Sequence, residues 1–251
     1  MLIKIYASEQ RLDEPQVIHY QNEITITTWG AIRINSVHFF PSGFQIRSKN
    51  LVVYIDPVKV TAIEKADYIF ITHSHPDHLS INDIKQIMKA ETRIICPKSV
   101  GKKLKKLKCE ITATKPGDKR NFNGIQCIAV PAYNTRPVFL WIKAHPKSRE
   151  NCGYLITFNE NVVVYHAGDT DNVPELGNIN NVDIAFLPVG GDNLTMNIID
   201  AAELANRINP KVLIPMHFDL VKTNELQRLR NLLSNDIKME SMIKKRNDDP
   251  V

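Results

Sequence analysis

Tyr68-Ile69-Phe70-Ile71-Thr72-His73-Ser74-His75-Pro76-Asp77-His78 decides how the chain is read. Its apolar opening has the length and character of a buried strand. Directly after it, three of the chain's eight histidines and an aspartate fall within six residues. If the strand geometry continues, His73 and His75 lie on the same side, with Asp77 and His78 in the turn that follows. Imidazole nitrogen and carboxylate oxygen are suitable ligands for Zn²⁺, Mn²⁺ or Fe²⁺. One zinc takes about four ligands, so four donors here already crowd a single site. That crowding invites two ions, with Asp169, His217 and another donor filling the remaining positions.

Outward from this turn, the first third of the chain reads as strands. ITITTW, AIRINSVHF, GFQIRS and LVVYID are short β-branched or aromatic runs split by turn residues. After the histidine turn, Ser80 can cap a helix INDIKQIMKA, whose isoleucines recur at helical spacing. RIICP is a further buried strand. The second half repeats the style, with strands IQCIAVPAYN, GYLITF, NVVVYHAGDT and VDIAFLPVG. A helix IIDAAELANRI ends at Asn209-Pro210, strand KVLIPMHF follows, and TNELQRLRNLL is a last helix. We therefore expect one domain over residues 1–251, made of two similar halves that meet near residue 120. Several strands end in groups suited to metals: Asp56, His73, the stretch from His166 to Asp169, and His217. Strand ends on one edge of a sheet converge, and loops there carry function on a rigid base.

The chain has 251 residues, 43% of them hydrophobic and 24% charged, which is ordinary for a soluble globular protein. No run reaches the roughly 18 apolar residues of a membrane span, and MLIKIYASEQ lacks the apolar core of a signal peptide. The expected location is cytoplasmic, with no membrane partner. The net charge is +5, partly from KSVGKKLKKLK at 98–108, which reads as a solvated helix face with its few leucines turned inward. A second basic cluster, IKKRNDDPV, closes the chain. Few aromatics interleave with the lysines, so nucleic acid is only weakly supported as a partner. Cys96, Cys109, Cys127 and Cys152 form no CxxC pair and read as buried thiols. No GxSxG elbow, GxGxxG or Walker loop is present.

The stretches VVYIDP, ITHSHPDHLS, VPAYNT, AHPKSRENCGYLI, YHAGDTDNVPEL, AFLPVGG and PKVLIPMHF together resemble the metallo-β-lactamase-fold superfamily, in particular its branch of zinc-dependent hydrolases of unknown substrate. The resemblance implies a four-layer αββα sandwich, a mixed α/β fold of two sheets with helices outside. It implies that His73 and His75 bind a first metal, and that Asp77, His78 and His217 bind a second. Asp169 would bridge the two ions, and Asp56 would orient the cluster from behind. The pattern departs at one point: AVPAYNT carries Tyr133 and Asn134 where a third histidine for the first metal is expected. His145 could fold back to supply that nitrogen; otherwise water, Asn134 or an incomplete first site fills the place. His166 is expected to pack or hydrogen-bond behind the site. His38 is read as core or as support behind the site, and His19 as a surface residue.

Two zinc ions are the expected cofactors, with Mn²⁺ or Fe²⁺ as alternatives. The expected chemistry is hydrolysis by a metal-activated hydroxide on an ester-like bond, with Asp77 orienting the nucleophile. Tyr133 and Asn134 could donate to a developing oxyanion, or serve only as turn residues. The basic balance tilts the substrate towards a small anionic molecule, a phosphodiester or another phosphate ester. A lactone or amide hydrolase and a metal-dependent sensor without turnover are the alternatives, as is a di-iron redox centre. Loops 134–150 and 191–197 are expected to form the rim, with Gly190 and Gly191 letting a loop pass close by. A homo-oligomer is compatible with all of this.

Overall fold

The computed structural model describes residues 16–21, 23–34, 37–61, 64–159 and 161–243. The opening MLIKIYASEQ and all but the first residue of IKKRNDDPV lie outside the described residues. The first half runs β1 (Gln16–Tyr20), β2 (Ile24–Thr28), β3 (Ile32–Ile34), β4 (Val37–Phe40), β5 (Phe44–Ser48), β6 (Leu51–Ile55), β7 (Tyr68–Phe70), α1 (Ile81–Ile87), β8 (Arg93–Pro97), α2 (Lys98–Lys103) and β9 (Glu110–Thr114). The second half runs β10 (Lys119–Phe122), β11 (Ile125–Pro131), β12 (Cys152–Phe158), β13 (Val162–His166), β14 (Ile184–Pro188), α3 (Ile198–Ile208), β15 (Val212–Met216), β16 (Phe218–Asp219), α4 (Thr223–Leu232) and β17 (Lys238–Met239).

Each half builds one seven-stranded mixed sheet. The first is ordered β1-β2-β5-β6-β7-β8-β9, antiparallel as far as β6 and parallel beyond it. The second is ordered β10-β11-β12-β13-β14-β15-β17 and switches in the same way at β13. Parallel neighbours need a crossover, and α1, α2, α3 and α4 fall in those crossovers. A small third sheet, β16-β4-β3, sets Phe218 against Phe40 just after His217.

Strand alternation explains the layers. Along β6, Val53 and Ile55 face the main core, while Val52 and Tyr54 face the opposite side. Along β7, Tyr68 and Phe70 face the main core, and Ile69 joins Ile84 and Ile87 of α1 on the outer face. Both faces of these strands are covered, so the sequence reads as a continuous apolar run. In the second half, α3 buries Ala201, Leu204, Ala205 and Ile208 along one stripe. The result is the four-layer αββα sandwich expected from the sequence.

Several details differ from the sequence reading. AIRINSVHF forms two strands, β3 and β4, paired as a hairpin around residues 35 and 36, which lie outside the described residues. The first helix stops at Ile87, where Met88 turns extended, although Ser80 caps it as expected, accepting from the Asp83 amide. The basic run is helical only over Lys98–Lys103; Val100 and Leu104 do point inward. β1, β9, β10 and β17 have no counterpart in the sequence reading. By contrast α3 spans the stretch expected and ends at Asn209, in a left-handed conformation, while its Asn197 cap is a structural finding.

Candidate metal centre

β6 and β7 are parallel neighbours, so Asp56 and His73 leave them at the same edge. β13, β14 and β15 are also parallel, which brings the segments after His166, Pro188 and Met216 to one edge of the second sheet. The two edges meet here, and the Cys152 amide donates across to the Thr72 carbonyl at 3.1 Å. Close approach sets the glycines. Gly168 has φ +63°, and a Cβ there would sit 3.1 Å from the Thr72 Cβ. At Gly190 a Cβ would fall 2.4 Å from the His217 carbonyl oxygen.

Two donor groups result. His73, His75, His145 and Asp169 form one; Asp77, His78, Asp169 and His217 form the other. Within each group one donor atom per residue lies within 4.8 Å of all the others. Asp169 belongs to both. Its Oδ2 lies 3.7 Å from His73 Nε2, 3.3 Å from His145 Nε2 and 3.0 Å from His217 Nε2. Asp169 Oδ1 lies 3.2 Å from His78 Nε2, and Asp77 Oδ2 lies 3.3 Å from His217 Nε2.

A directed hydrogen-bond chain aims these rings. The Thr72 amide and hydroxyl donate to the two oxygens of Asp56 at 2.8 and 2.6 Å. Having given its proton away, Thr72 Oγ1 accepts from His73 Nδ1 at 3.0 Å. His78 Nδ1 donates to Asp56 Oδ2 at 2.7 Å. His145 Nδ1 donates to Asn134 Oδ1 at 2.8 Å. Each partner fixes one ring nitrogen as donor and leaves Nε2 directed at the cluster, the arrangement that orients metal-binding histidines. His166 sits behind, donating from Nε2 to the Ser42 carbonyl and accepting from the Gly168 amide.

The loops expected at the rim touch each other. Asn193 donates to the Pro137 carbonyl, and Asn134 Nδ2 donates to the Leu194 carbonyl and to Asp171. The Tyr133 hydroxyl donates to Glu175 at 2.9 Å, and Lys147 Nζ lies 4.9 Å from its ring centroid. The donors of Tyr133 and Asn134 are engaged by these partners. Thr72, Asp171 and Phe39 escaped the sequence reading. Asp171 gathers the Thr135 amide and hydroxyl and the Arg136 amide, and Phe39 meets His217 edge-on at 4.8 Å. A second aspartate two residues after Asp169 was the available signal for Asp171; Thr72 and Phe39 had none.

The groups differ in charge. Burial, reinforced by the neighbouring His78, holds His73 well below the usual histidine value. Burial likewise lowers His75, and brings His145 down to about 4. Burial thus favours the neutral form of these rings, and His145 Nε2 lies 3.0 Å from His75 Nδ1. Burial also opposes charge on His78 and His217, but the carboxylates win. Asp169, Asp77 and Asp56 hold His78 well above its usual value, and Asp169 and Asp77 lift His217 to about 9. Burial would raise Asp169 and Asp77 in turn, yet the facing His217 and His78 keep both well below the ordinary carboxylate range. Buried carboxylates that draw positive charge among imidazole nitrogens are what a divalent cation requires. His73 Nε2, His78 Nε2 and Asp169 Oδ1 are moreover buried without a hydrogen-bond partner. The donor set fits metal ions.

Fold and site together define the class: the chain belongs to the metallo-β-lactamase-fold superfamily, the beta-lactamase superfamily domain matching residues 36–217, which hold every member of both donor groups. Within that class it is 31% identical over 181 residues to a UPF0173 metal-dependent hydrolase of Nanoarchaeum equitans, covering 71% of this chain and 80% of that one. It is 30% identical to a solved structure from Parabacteroides distasonis put forward as a metal-dependent hydrolase, with a TM-score of 0.73 over 92% of this chain and 99% of that one. The metallo hydrolase Igni18 of Ignicoccus hospitalis shares the fold at 23% identity, with a TM-score of 0.64 over 82% of this chain and 93% of its own.

Proposed function

We propose that this chain is a metal-dependent hydrolase that holds two divalent ions and acts on an ester-like bond, with a phosphate-bearing small molecule, a phosphodiester first, as its substrate. One observation carries the reading. Three buried polar atoms, His73 Nε2, His78 Nε2 and Asp169 Oδ1, make no hydrogen bond, the latter two facing each other only as an ion pair at 3.2 Å, and they belong to two donor groups sharing Asp169. Buried polar groups left unpaired cost free energy, so they imply a partner of another kind. His73, His75 and His145 would hold one ion, Asp77, His78 and His217 the other, and Asp169 both.

Bound ions of this kind supply Lewis acidity and a hydroxide nucleophile at neutral pH. The chain's own contribution is orientation. Asp56 and Thr72 fix His73 and His78, Asn134 fixes His145, and Asp77, the most open carboxylate of the set at 23% side-chain exposure, is placed to hold a water proton at the mouth. The substrate class is supported by charge at that mouth. Lys103, in the basic run, donates to the carbonyl of Ser74, between His73 and His75. Zinc suits the histidine-rich sets, though Mn²⁺ and Fe²⁺ accept the same donors.

The test is metal content per chain in protein purified without chelator, with turnover of bis(4-nitrophenyl) phosphate beside lactone and amide panels. Two ions, chelator-sensitive phosphodiester cleavage, and loss of both with Asp169→Ala are expected. Turnover confined to lactones or amides would change the substrate class. Two ions with no turnover on any panel would make the protein a metal-dependent sensor, and chains that bind no metal would end the proposal.

A further inference from the structure

Residues 138–142 read Val-Phe-Leu-Trp-Ile, and every one is exposed: Phe139 by 66%, Leu140 by 62%, Trp141 by 80% and Ile142 by 53%. They form a hairpin closed by the Phe139–Ile142 bridge and by the Val138 amide donating to the Ile142 carbonyl. Five consecutive exposed apolar residues serve no core, and such a run is an error unless it has a use. Turn geometry does not account for it. Leu140 has φ +49°, a conformation that favours Gly or Asn, yet it carries a large apolar side chain.

The foot of the hairpin is rigid. Asn134 and His145 exchange backbone and side-chain hydrogen bonds across its base, and Asp171 and Asn193 hold residues 135–137. An apolar tip therefore stands on a fixed base beside His145. The segment itself is basic up to Glu150, although two of its cations are paired, Arg136 with Asp200 at 3.2 Å and Lys147 with Glu175 at 2.6 Å. Residues 135–149 contain Arg136, Lys143, Lys147 and Arg149 and no Asp or Glu. An exposed aromatic and aliphatic tip with a basic collar is the pattern of segments that enter a lipid interface and bind its anionic headgroups. A second copy of the chain would bring the same cations face to face, which charge repulsion disfavours.

We propose that hairpin 138–142 docks this protein on an anionic lipid surface, with Phe139, Leu140 and Trp141 entering the interface and Lys143 and Arg149 facing lipid phosphates. Docking would turn the rim of the metal centre towards the headgroups. The inference does not depend on the hydrolase reading, because it requires no metal. Chelator is expected to leave docking unchanged, so failure of one proposal is separable from failure of the other.

The chain holds a convenient reporter. Of its two tryptophans, Trp29 is buried at 4% exposure and Trp141 stands at the tip. The full chain is mixed with vesicles of phosphatidylglycerol and phosphatidylcholine in equal parts, or of phosphatidylcholine alone, and followed by flotation and tryptophan emission. A shift to shorter wavelength and flotation with anionic vesicles only, weakening as salt rises, is expected. Joint Phe139→Ser and Trp141→Ser substitution should reduce vesicle affinity by roughly tenfold or more with an unchanged melting temperature. Lys143→Glu gives an independent reading and should weaken binding and its salt dependence together. No flotation with either vesicle overturns the proposal. So does an emission shift without lipid that grows with protein concentration and accompanies a doubled mass, which assigns the hairpin to a second copy. An emission shift with a monomeric short-chain anionic amphiphile but no flotation assigns it to a substrate chain, and also overturns the proposal.

Discussion

Asp56 accepts three hydrogen bonds within one buried pocket, from the Thr72 amide, the Thr72 hydroxyl and His78 Nδ1. Losing that carboxylate frees the rings of both donor groups, since Thr72 relays its hold to His73. Asp56→Ala should therefore weaken metal binding by about 10- to 100-fold, read by competition against a chromophoric chelator. Asn134→Ala is expected to act more selectively, because only His145 depends on it. Stepwise titration should show one weakened site and one unchanged, and equal weakening of both would remove Asn134 from its positioning role. At this scale the histidine turn was fully legible, because three histidines and an aspartate so close together have little use in a core. Asn134 was noticed for its position, with its duty left open. Which group an amide faces depends on Asp171 and His145, 37 and 11 residues away, and no local pattern encodes that.

Helix α3 was legible to the residue because its signals are local. Asn197 Oδ1 accepts from the amides of Ile199 and Asp200, an N-cap that Asn197→Ala should reveal as a loss of about 1 kcal/mol in urea unfolding. Strands β9, β10 and β17 were missed for the opposite reason. β9, β10 and β17 are each the terminal strand of a sheet, and edges are guarded by charge, which hides the apolar alternation. Asp183 ties such elements together, accepting from the Val163 amide, Tyr20 and Lys211. Burial alone would raise its carboxyl, but those donors outweigh burial and hold it below the ordinary 3.8. The folded value being the lower one, its stabilisation is complete above the unfolded value and is lost as pH falls through the folded one. Asp183→Asn should thus lower the melting temperature at neutral pH and flatten its acid decline below about pH 4. A parallel downward shift at every pH would remove the ionised form from this role.

Two similar halves were legible in two runs of strands, each closing in strand–helix units, and the sandwich itself was implied by the motif resemblance. Its main core draws Ile26, Phe44 and Phe70 from one sheet and Tyr154, Val164 and Phe186 from the other. We propose that the halves unfold as one unit, giving a single calorimetric transition whose two enthalpies agree; two resolved transitions would divide the chain into domains. Metal at about 100 times its dissociation constant should stabilise that unit by about 2.7 kcal/mol, an increment that chelator removes. The division of ligands between the halves also bears on synthesis. His217 lies 139 positions after His78, and a ribosome adding roughly 5–20 residues per second needs about 7–28 seconds to cover them. For that interval the nascent chain displays His73, His75, Asp77 and His78 without the histidine proposed to complete the second ion's shell, and for the first 91 of those positions without Asp169 as well.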